Sequence, residues 1–132
     1  MSKVIDKVGW ILIQDQKLLC VRSYGKELFY IPGGKRESGE SDIETLKREV
    51  LEELSVDINQ ETNYLGTFSA RADGKQADVI VTVKCYQAEF LGNLQPGSEI
   101  EEMRWLGTDD LTLCSQVTIA VLKDLVDQGL VK

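Results

Sequence analysis

Three glutamates are spaced so that a helix would place them side by side. Glu49, Glu52 and Glu53 stand at i, i+3 and i+4 within the segment Gly34–Val56, and residues at this spacing share one flank of a helix. Like charges there destabilise a helix by roughly a few tenths of a kcal/mol per pair, and the helix dipole disfavours anions in the last turn. The cluster is therefore either a solvated acidic face or a site for a hard divalent cation such as Mg²⁺, which takes oxygen ligands.

The surrounding residues predict the helix that would carry these glutamates. Ser41 and Glu44 have the spacing of a capping box. Aliphatic residues then recur at the three- and four-residue spacing of one buried face, namely Ile43, Leu46, Val50 and Leu54. Before the helix, Leu28–Ile31 predicts a short strand. The pair Gly33-Gly34 follows it and allows close backbone approach, so that a carbonyl or amide can face a ligand. This context favours the cation site.

The segment resembles the signature box of the Nudix hydrolases. The fixed positions of that box are a glycine, a glutamate, an Arg-Glu pair, an aliphatic residue, a Glu-Glu pair and a last aliphatic residue, here Gly34, Glu40, Arg48, Glu49, Val50, Glu52, Glu53 and Val56. Ser55 stands where the family has a glycine. Because the left-handed backbone that ends a helix is easiest for glycine, Ser55 predicts a different exit from the helix. The resemblance implies hydrolysis of a phosphoanhydride with Mg²⁺, or Mn²⁺ as a substitute.

The resemblance also implies roles for the acidic residues. Glu52, Glu53 and the Gly33 carbonyl would be metal ligands, whereas Glu49 would be either a ligand or the general base. A further glutamate before a tryptophan-bearing strand often completes the metal site in this family. Glu99 is favoured for that place as metal ligand or alternative base, and Glu102 is the second choice.

The remaining box residues and nearby cations would have supporting roles. Arg48 and Glu40 would form a pair that, together with Gly34, orients the loop and the helix. Lys35 and then Arg22 would contact substrate phosphates, although ordinary surface charges explain each of them equally well.

Composition narrows the class of protein. With 132 residues and 42% hydrophobic residues, residues 1–132 should form one globular domain. The net charge of -7 argues against long nucleic acids as partners. The absence of histidine excludes Ser-His-Asp and Cys-His nucleophilic schemes, and three cysteines without a C-x-x-C pair indicate no disulfide framework. No membrane span or signal peptide is evident, which predicts a cytoplasmic protein.

The order of elements predicts an α+β fold. Strands are expected at Lys3–Ile13, Lys17–Arg22, Tyr64–Ala70, Ala77–Phe90 and Glu99–Leu106, with a loop at Asp57–Asn63, a hairpin turn at Asp73-Gly74 and a C-terminal helix ending near Gly129. This order resembles a Nudix-type α/β/α sandwich, with a mixed β-sheet between the box helix and the C-terminal helix.

The substrate is less determined than the chemistry. The favoured prediction is a MutT-like (deoxy)nucleoside triphosphate pyrophosphohydrolase, of the kind that cleans the nucleotide pool. It is expected to act as a monomer or homodimer. An ADP-ribose or nucleotide-sugar pyrophosphatase is the alternative, but Ala70-Arg71-Ala72 lacks the proline common in ADP-ribose members. Ser115 stands where the oxidised-guanine triphosphate cleaners usually have a purine-reading asparagine. A non-catalytic nucleotide-binding module is the alternative of another class.

Overall fold

The computed structural model describes residues 3–74 and 78–132. Its elements in chain order are β1 (Lys3–Trp10), β2 (Ile13–Gln14), β3 (Lys17–Ser23), β4 (Gly33–Lys35), α1 (Asp42–Leu54), β5 (Asp57–Arg71), β6 (Val79–Leu91), β7 (Ile100–Leu106), a 3₁₀ helix (Thr108–Leu113) and α2 (Gln116–Asp127).

Two sheets form the central layer of the molecule. The first is mixed, with strand order β4-β1-β6-β5 and a parallel pairing of β1 with β6. The second is antiparallel, with order β2-β3-β7. One hydrophobic core lies beneath α1 and contains Trp10 and Val50, and the other lies beneath α2 and contains Cys85 and Leu122. This arrangement confirms the α+β sandwich with a helix on either side.

Helix α1 begins as its sequence predicts. The Ser41 hydroxyl accepts from the Glu44 amide nitrogen at 3.2 Å, and the Glu44 carboxylate accepts from the Ser41 amide nitrogen at 3.0 Å. The predicted inner face is buried apart from Ile43, which is half-buried. The prediction for Ser55 is wrong, because this residue adopts the left-handed conformation (φ 63°, ψ 25°) that the family's glycine would supply.

Two other predictions of local structure are corrected. Leu28–Ile31 forms only isolated pairings at Phe29 and Tyr30, and the strand beside β1 is instead Gly33–Lys35. Asp57–Asn63 is not a loop but the first half of β5, because its backbone pairs with β6 on both sides of a bulge. Polar side chains there face solvent, so they gave no alternating hydrophobic pattern.

The hairpin and the C-terminal helix match the sequence-based expectations. β5 and β6 pair antiparallel across the turn that contains Asp73-Gly74, whereas Ala77, the predicted first residue of β6, lies outside the described residues. α2 is followed by Gly129 with φ 77°, and the Leu130 amide nitrogen donates to the Leu125 carbonyl, which is a Schellman closure. None of the helices in the described part of the chain is long and apolar enough to cross a membrane.

Candidate active site

A cleft of about 310 Å³ opens beside the C-terminal half of α1. Its walls come from β1, β4, β6, the end of β3 and the start of α2. The polar groups in its lining include Lys7, Ser23, Lys26, Tyr30 and Glu53, and its apolar groups include Ile31, Val83 and Val117. Gly33, Gly34 and Glu53 lie together on this surface, so the box helix and the loop before it form part of the wall.

Glu53 is held against the backbone of β4. One of its carboxylate oxygens accepts from the Gly33 amide nitrogen at 2.9 Å. Burial of the carboxyl group raises the pKa of Glu53 to about 8, against the lowering effect of the Gly33 hydrogen bond. Negative charge on Glu49 raises it further, whereas Lys7 lowers it. A buried carboxylate that resists ionisation in this way can be stabilised by a cation.

Gly33 adopts a backbone conformation that permits this contact. Its φ is +142°, and a Cβ atom there would lie 2.0 Å from the Val8 carbonyl oxygen. No other residue type fits so close to the backbone of β1. The sequence therefore needs glycine at position 33 to bring its amide nitrogen to Glu53.

Gly34 makes room for Glu49 rather than for backbone. A Cβ at Gly34 would lie 2.6 Å from the Glu49 carboxylate carbon. The Glu49 carboxylate is 19% exposed and accepts from Arg48 at 2.8 Å. Burial raises the pKa of Glu49, and its hydrogen bond with Arg48 acts in the opposite direction. Glu52 is 61% exposed, and its carboxylate lies 3.8 Å from Arg48.

Arg48 ties the helix to the loop before it. It donates from Nε and Nη2 to the two carboxylate oxygens of Glu40, at 2.7 and 2.8 Å, and from Nη2 to the Lys35 carbonyl at 3.1 Å. Arg48 holds the pKa of Glu40 at about 2, helped by the Glu37 amide nitrogen. A bidentate pair of this kind fixes both position and orientation.

The two candidates before and within β7 differ in their surroundings. Glu99 is exposed and lies two residues after Gly97, whose amide nitrogen donates to the Glu53 carbonyl at 2.7 Å. The backbone that carries Glu99 is thus anchored on the last turn of α1. Glu102 is held by Arg104 and Arg22, which lower its pKa.

The two cations expected at substrate phosphates also differ. Lys35 is exposed at the end of β4, where it pairs with Lys7 of β1. Arg22 donates to the carboxylates of Glu101 and Glu102, and its guanidinium lies 5.7 Å from the centre of the Phe29 ring. Because Arg22 already has two carboxylate partners, Lys35 is the more available of the two cations for a substrate phosphate.

Lys7 and Tyr30 line the cleft, although the sequence did not assign them to it. Lys7 is half-buried, and its Nζ lies 5.4 Å from the centre of the Tyr30 ring. The available signal was the alternation of β1, in which Ile5, Lys7 and Gly9 share one face. A lysine between two inward positions indicates an inward cation.

Ser115, which aligns with the family's purine-reading position, has a structural role here. Its hydroxyl accepts from the Thr118 amide nitrogen at 3.3 Å and donates to the Thr118 hydroxyl at 2.8 Å. Ser115 is fully buried at the N-cap of α2. The nearby Asp110 accepts from the Gly107 amide nitrogen at 2.8 Å, which closes the start of the 3₁₀ helix.

The site offers oxygen ligands of the kind that Mg²⁺ prefers. Within residues 3–74 and 78–132, no three acidic, histidine or cysteine side chains converge as a ready metal cage. Glu49 is directed to Arg48 and Glu53 to Gly33, so each carboxylate keeps a second oxygen beyond its named partner. The sequence contains no histidine, so the side chains available to a metal here are carboxylates. Carboxylates suit a hard cation that also keeps water and phosphate ligands.

Fold and site together define a hydrolase that acts on phosphorus-containing anhydrides. The sequence model of the NUDIX domain matches residues 4–124, and the chain belongs to the Nudix family. Hydrolases of this family generally use divalent metal ions and act on small nucleotide substrates. A search of curated proteins gave no match.

Solved structures with the same fold include MutT proteins. The solution structure of the E. coli ORF135 protein has 24% sequence identity and a TM-score of 0.71, covering 96% of this chain and 91% of that one. The MutT protein of Bacillus halodurans has 25% identity and a TM-score of 0.67, covering 90% and 80%. A bifunctional NMN adenylyltransferase/ADP ribose pyrophosphatase of Francisella tularensis has 17% identity and a TM-score of 0.67, covering 97% and 42%.

Proposed function

We propose that this chain is a Mg²⁺-dependent (deoxy)nucleoside triphosphate pyrophosphohydrolase, which releases a nucleoside monophosphate and pyrophosphate. The observation that carries the proposal is the Gly33–Glu53 contact at the wall of a cleft of about 310 Å³. A cleft of this size is within the range of small-ligand sites. The resemblance of the box to MutT-like members favours a triphosphate as substrate, and a MutT protein is among the structures with the same fold.

In the proposed reaction, Glu53, Glu52 and the Gly33 carbonyl would hold the metal, and Glu49 and Glu99 would each serve either as a further ligand or as the general base. When bound, a divalent cation neutralises charge on the phosphate oxygens and orients the reacting groups. Water adds to one phosphorus, a bridging P–O bond breaks, and pyrophosphate leaves. Glu49 or Glu99 takes the proton of the attacking water.

The other residues of the site position these groups. Arg48 keeps Glu49 on the Gly34 side of the helix and holds the loop through Glu40. The apolar residues of the cleft, Ile31, Val83 and Val117, offer contact area for a nucleoside. Lys35 is proposed to contact a substrate phosphate, with Arg22 as a second candidate.

The test is a phosphate-release screen with Mg²⁺ over oxidised and normal dNTPs, NTPs, ADP-ribose and nucleotide sugars. Pyrophosphatase is coupled for the triphosphates and phosphatase for the other compounds. We expect metal-dependent turnover of triphosphates that is lost in Glu53→Gln and retained in Glu61→Gln, a matched change on the exposed part of β5.

Two outcomes would replace the proposal. Preferential turnover of ADP-ribose or a nucleotide sugar would establish the alternative pyrophosphatase activity. Nucleotide binding without turnover of any compound, in a folded protein that binds Mg²⁺, would establish a non-catalytic nucleotide-binding module.

A further inference from the structure

Lys7 is a cation on the inner face of a sheet. In β1 it shares one face with Ile5 and Gly9, and its partner in the parallel pairing with β6 is the buried residue Val83. It lines the cleft together with Glu53. Lysine at such a position needs a reason, because a buried ammonium costs free energy unless it is paired.

The neighbours of Lys7 do not supply a dedicated anion. In residues 3–74 and 78–132, Lys7 takes part in none of the ion pairs within 4.0 Å, whereas Arg36 has carboxylate partners in Asp6 and Asp42. Instead, the Lys7 ammonium lies over the Tyr30 ring, at 5.4 Å from its centre. A ring face attracts an ammonium and leaves its N–H groups available to an acceptor.

A second lysine lies directly opposite. Lys7 and Lys35 are cross-strand partners in the antiparallel pairing of β1 with β4, and like charges opposite one another destabilise a sheet. Burial lowers the pKa of Lys7, as does Lys35, while Glu53 and Glu49 raise it. Asp73 raises the pKa of Lys7 as well, so two of the three carboxyl groups that act on Lys7 are residues proposed to hold the metal.

If Glu49 and Glu53 held a divalent cation, their carboxylates would be engaged with it rather than with Lys7. Lys7 would then lie in the cleft, with Lys35 opposite it on β4, and of the three carboxyl groups that raise its pKa only Asp73 would remain for it. A substrate phosphate in the cleft would supply an anion for Lys7, because an ammonium is a compact point charge with three donors that suits phosphate oxygens.

We propose that Lys7 donates to a non-bridging phosphate oxygen of the substrate in the cleft and thereby positions the polyphosphate for cleavage. This inference rests on the proposed function, because it assigns a substrate contact within the same site. Tyr30 holds the Lys7 ammonium in place, and Lys35 contributes from the neighbouring strand.

The test compares Lys7→Met with Lys3→Met. Lys3 is on the same strand and the same face but is exposed, so its replacement removes one positive charge without touching the cleft. Calorimetry would measure binding of imidodiphosphate in the presence of Mg²⁺. We expect Lys7→Met to weaken binding about 10- to 100-fold, the equivalent of one charged hydrogen bond, and Lys3→Met to leave it unchanged.

Kinetics distinguish a phosphate contact from a base contact. If Lys7 binds phosphate, Lys7→Met lowers kcat/KM by a similar factor for every triphosphate that the enzyme cleaves, and Lys7→Arg restores most of the loss. A loss confined to particular bases would overturn the proposal in favour of base recognition. Equal losses in Lys7→Met and Lys7→Arg, with a lowered melting temperature in both, would overturn it in favour of a structural role.

Failure of the Lys7 contact can be distinguished from failure of the proposed function. If the wild-type protein cleaves no triphosphate but binds imidodiphosphate in a Lys7-dependent manner, the proposed function fails and the Lys7 contact stands. If triphosphates are cleaved and imidodiphosphate binding is the same in Lys7→Met as in wild type, the proposed function stands and the Lys7 contact is refuted.

Discussion

The Gly33 amide nitrogen donates to a Glu53 carboxylate oxygen at 2.9 Å, so the strand before the box and the last turn of its helix meet at one point. The contact depends on a glycine at position 33, because a Cβ there would meet the backbone of β1. It also leaves Glu53 with a hydrogen bond that stabilises its charged form, while burial outweighs this and raises the pKa of Glu53 to about 8.

Stability of the metal-free protein should therefore depend on pH through Glu53. Its pKa is higher in the folded than in the unfolded chain, so the folded protein holds an extra proton between about pH 4.5 and 8 and loses stability as pH rises through that window. The change should be on the order of a few kcal/mol, since one pKa unit corresponds to about 1.4 kcal/mol. Urea unfolding in EDTA from pH 5 to 9 measures it.

Replacing Glu53 by Gln should flatten this dependence, because the amide cannot ionise. Glu61→Gln, an exposed change on β5, should keep the wild-type slope. Equal slopes in wild type and Glu53→Gln would show that another group is responsible.

Metal affinity should follow the opposite trend. If Glu53 is a ligand, protons compete with Mg²⁺ below pH 8, so affinity rises with pH by at most about tenfold per unit. Calorimetric titration with Mg²⁺ at pH 6.5, 7.5 and 8.5 measures this rise. A constant affinity across that range, or unchanged affinity in Glu53→Gln, would remove Glu53 from the ligand set.

Gly33 and Gly34 should fail in different ways when changed to alanine. Gly33→Ala creates a backbone clash with Val8 at a left-handed φ and should destabilise the fold by roughly 3 kcal/mol or more. Gly34→Ala meets only the Glu49 carboxylate. It should leave the fold intact and lower Mg²⁺ affinity about 10- to 100-fold, as changes around metal ligands do.

Gly39→Ala is the matched control for both changes. Gly39 has a left-handed φ of +84° but no atom within 4 Å of a Cβ, so only backbone strain of about 1 kcal/mol is expected. Thermal unfolding and Mg²⁺ titration of the three variants separate the effects. Normal Mg²⁺ affinity in a folded Gly34→Ala would contradict a role for Glu49 at the metal.

The bidentate pair of Glu40 with Arg48 should stabilise the protein only where Glu40 is ionised. The pKa of Glu40 is lowered to about 2 by Arg48, so its contribution is complete above about pH 4.5 and is lost as pH falls toward 2. Glu40→Gln should melt below wild type at pH 7, and the two curves should converge near pH 2. Glu27→Gln, an exposed glutamate, serves as control; a difference that persists at pH 2 would indicate packing rather than charge.

Local sequence signals predicted the structure where neighbouring side chains supply the hydrogen bonds of the backbone. The capping box at Ser41 and the apolar spacing of α1 predicted where that helix begins and which face it buries. The placement of Glu52 and Glu53 in its last turn was predicted in the same way, because it follows from the spacing of the helix.

Contacts between distant segments were not predictable in this way. Asp57–Asn63 is a strand because β6 pairs with it, although its polar residues show no strand pattern. Lys7 reaches the cleft because β1 lies beside β4, in a register that pairs Gly9 with Gly33 and Lys7 with Lys35. No property of the residues around Lys7 identifies that partner.

Ser55 gives a prediction that concerns stability alone. It ends α1 with a left-handed backbone, φ 63°, which costs a residue with a Cβ roughly 1–2 kcal/mol. Ser55→Gly removes that strain. Glycine also raises the conformational entropy of the unfolded chain, which offsets part of the gain in stability. The net effect should be about 0.5–1 kcal/mol of added stability, or about 2–4 °C in melting temperature, with kcat and KM unchanged.

Ser38→Gly is the matched control, because Ser38 is an exposed loop serine that is not among the residues of positive φ. There, glycine gains nothing in the folded state and should lower the melting temperature slightly. If Ser55→Gly fails to melt above wild type while Ser38→Gly behaves as expected, the left-handed exit at Ser55 is compensated by contacts of the serine itself. In that case the departure from the family's glycine carries no cost in stability.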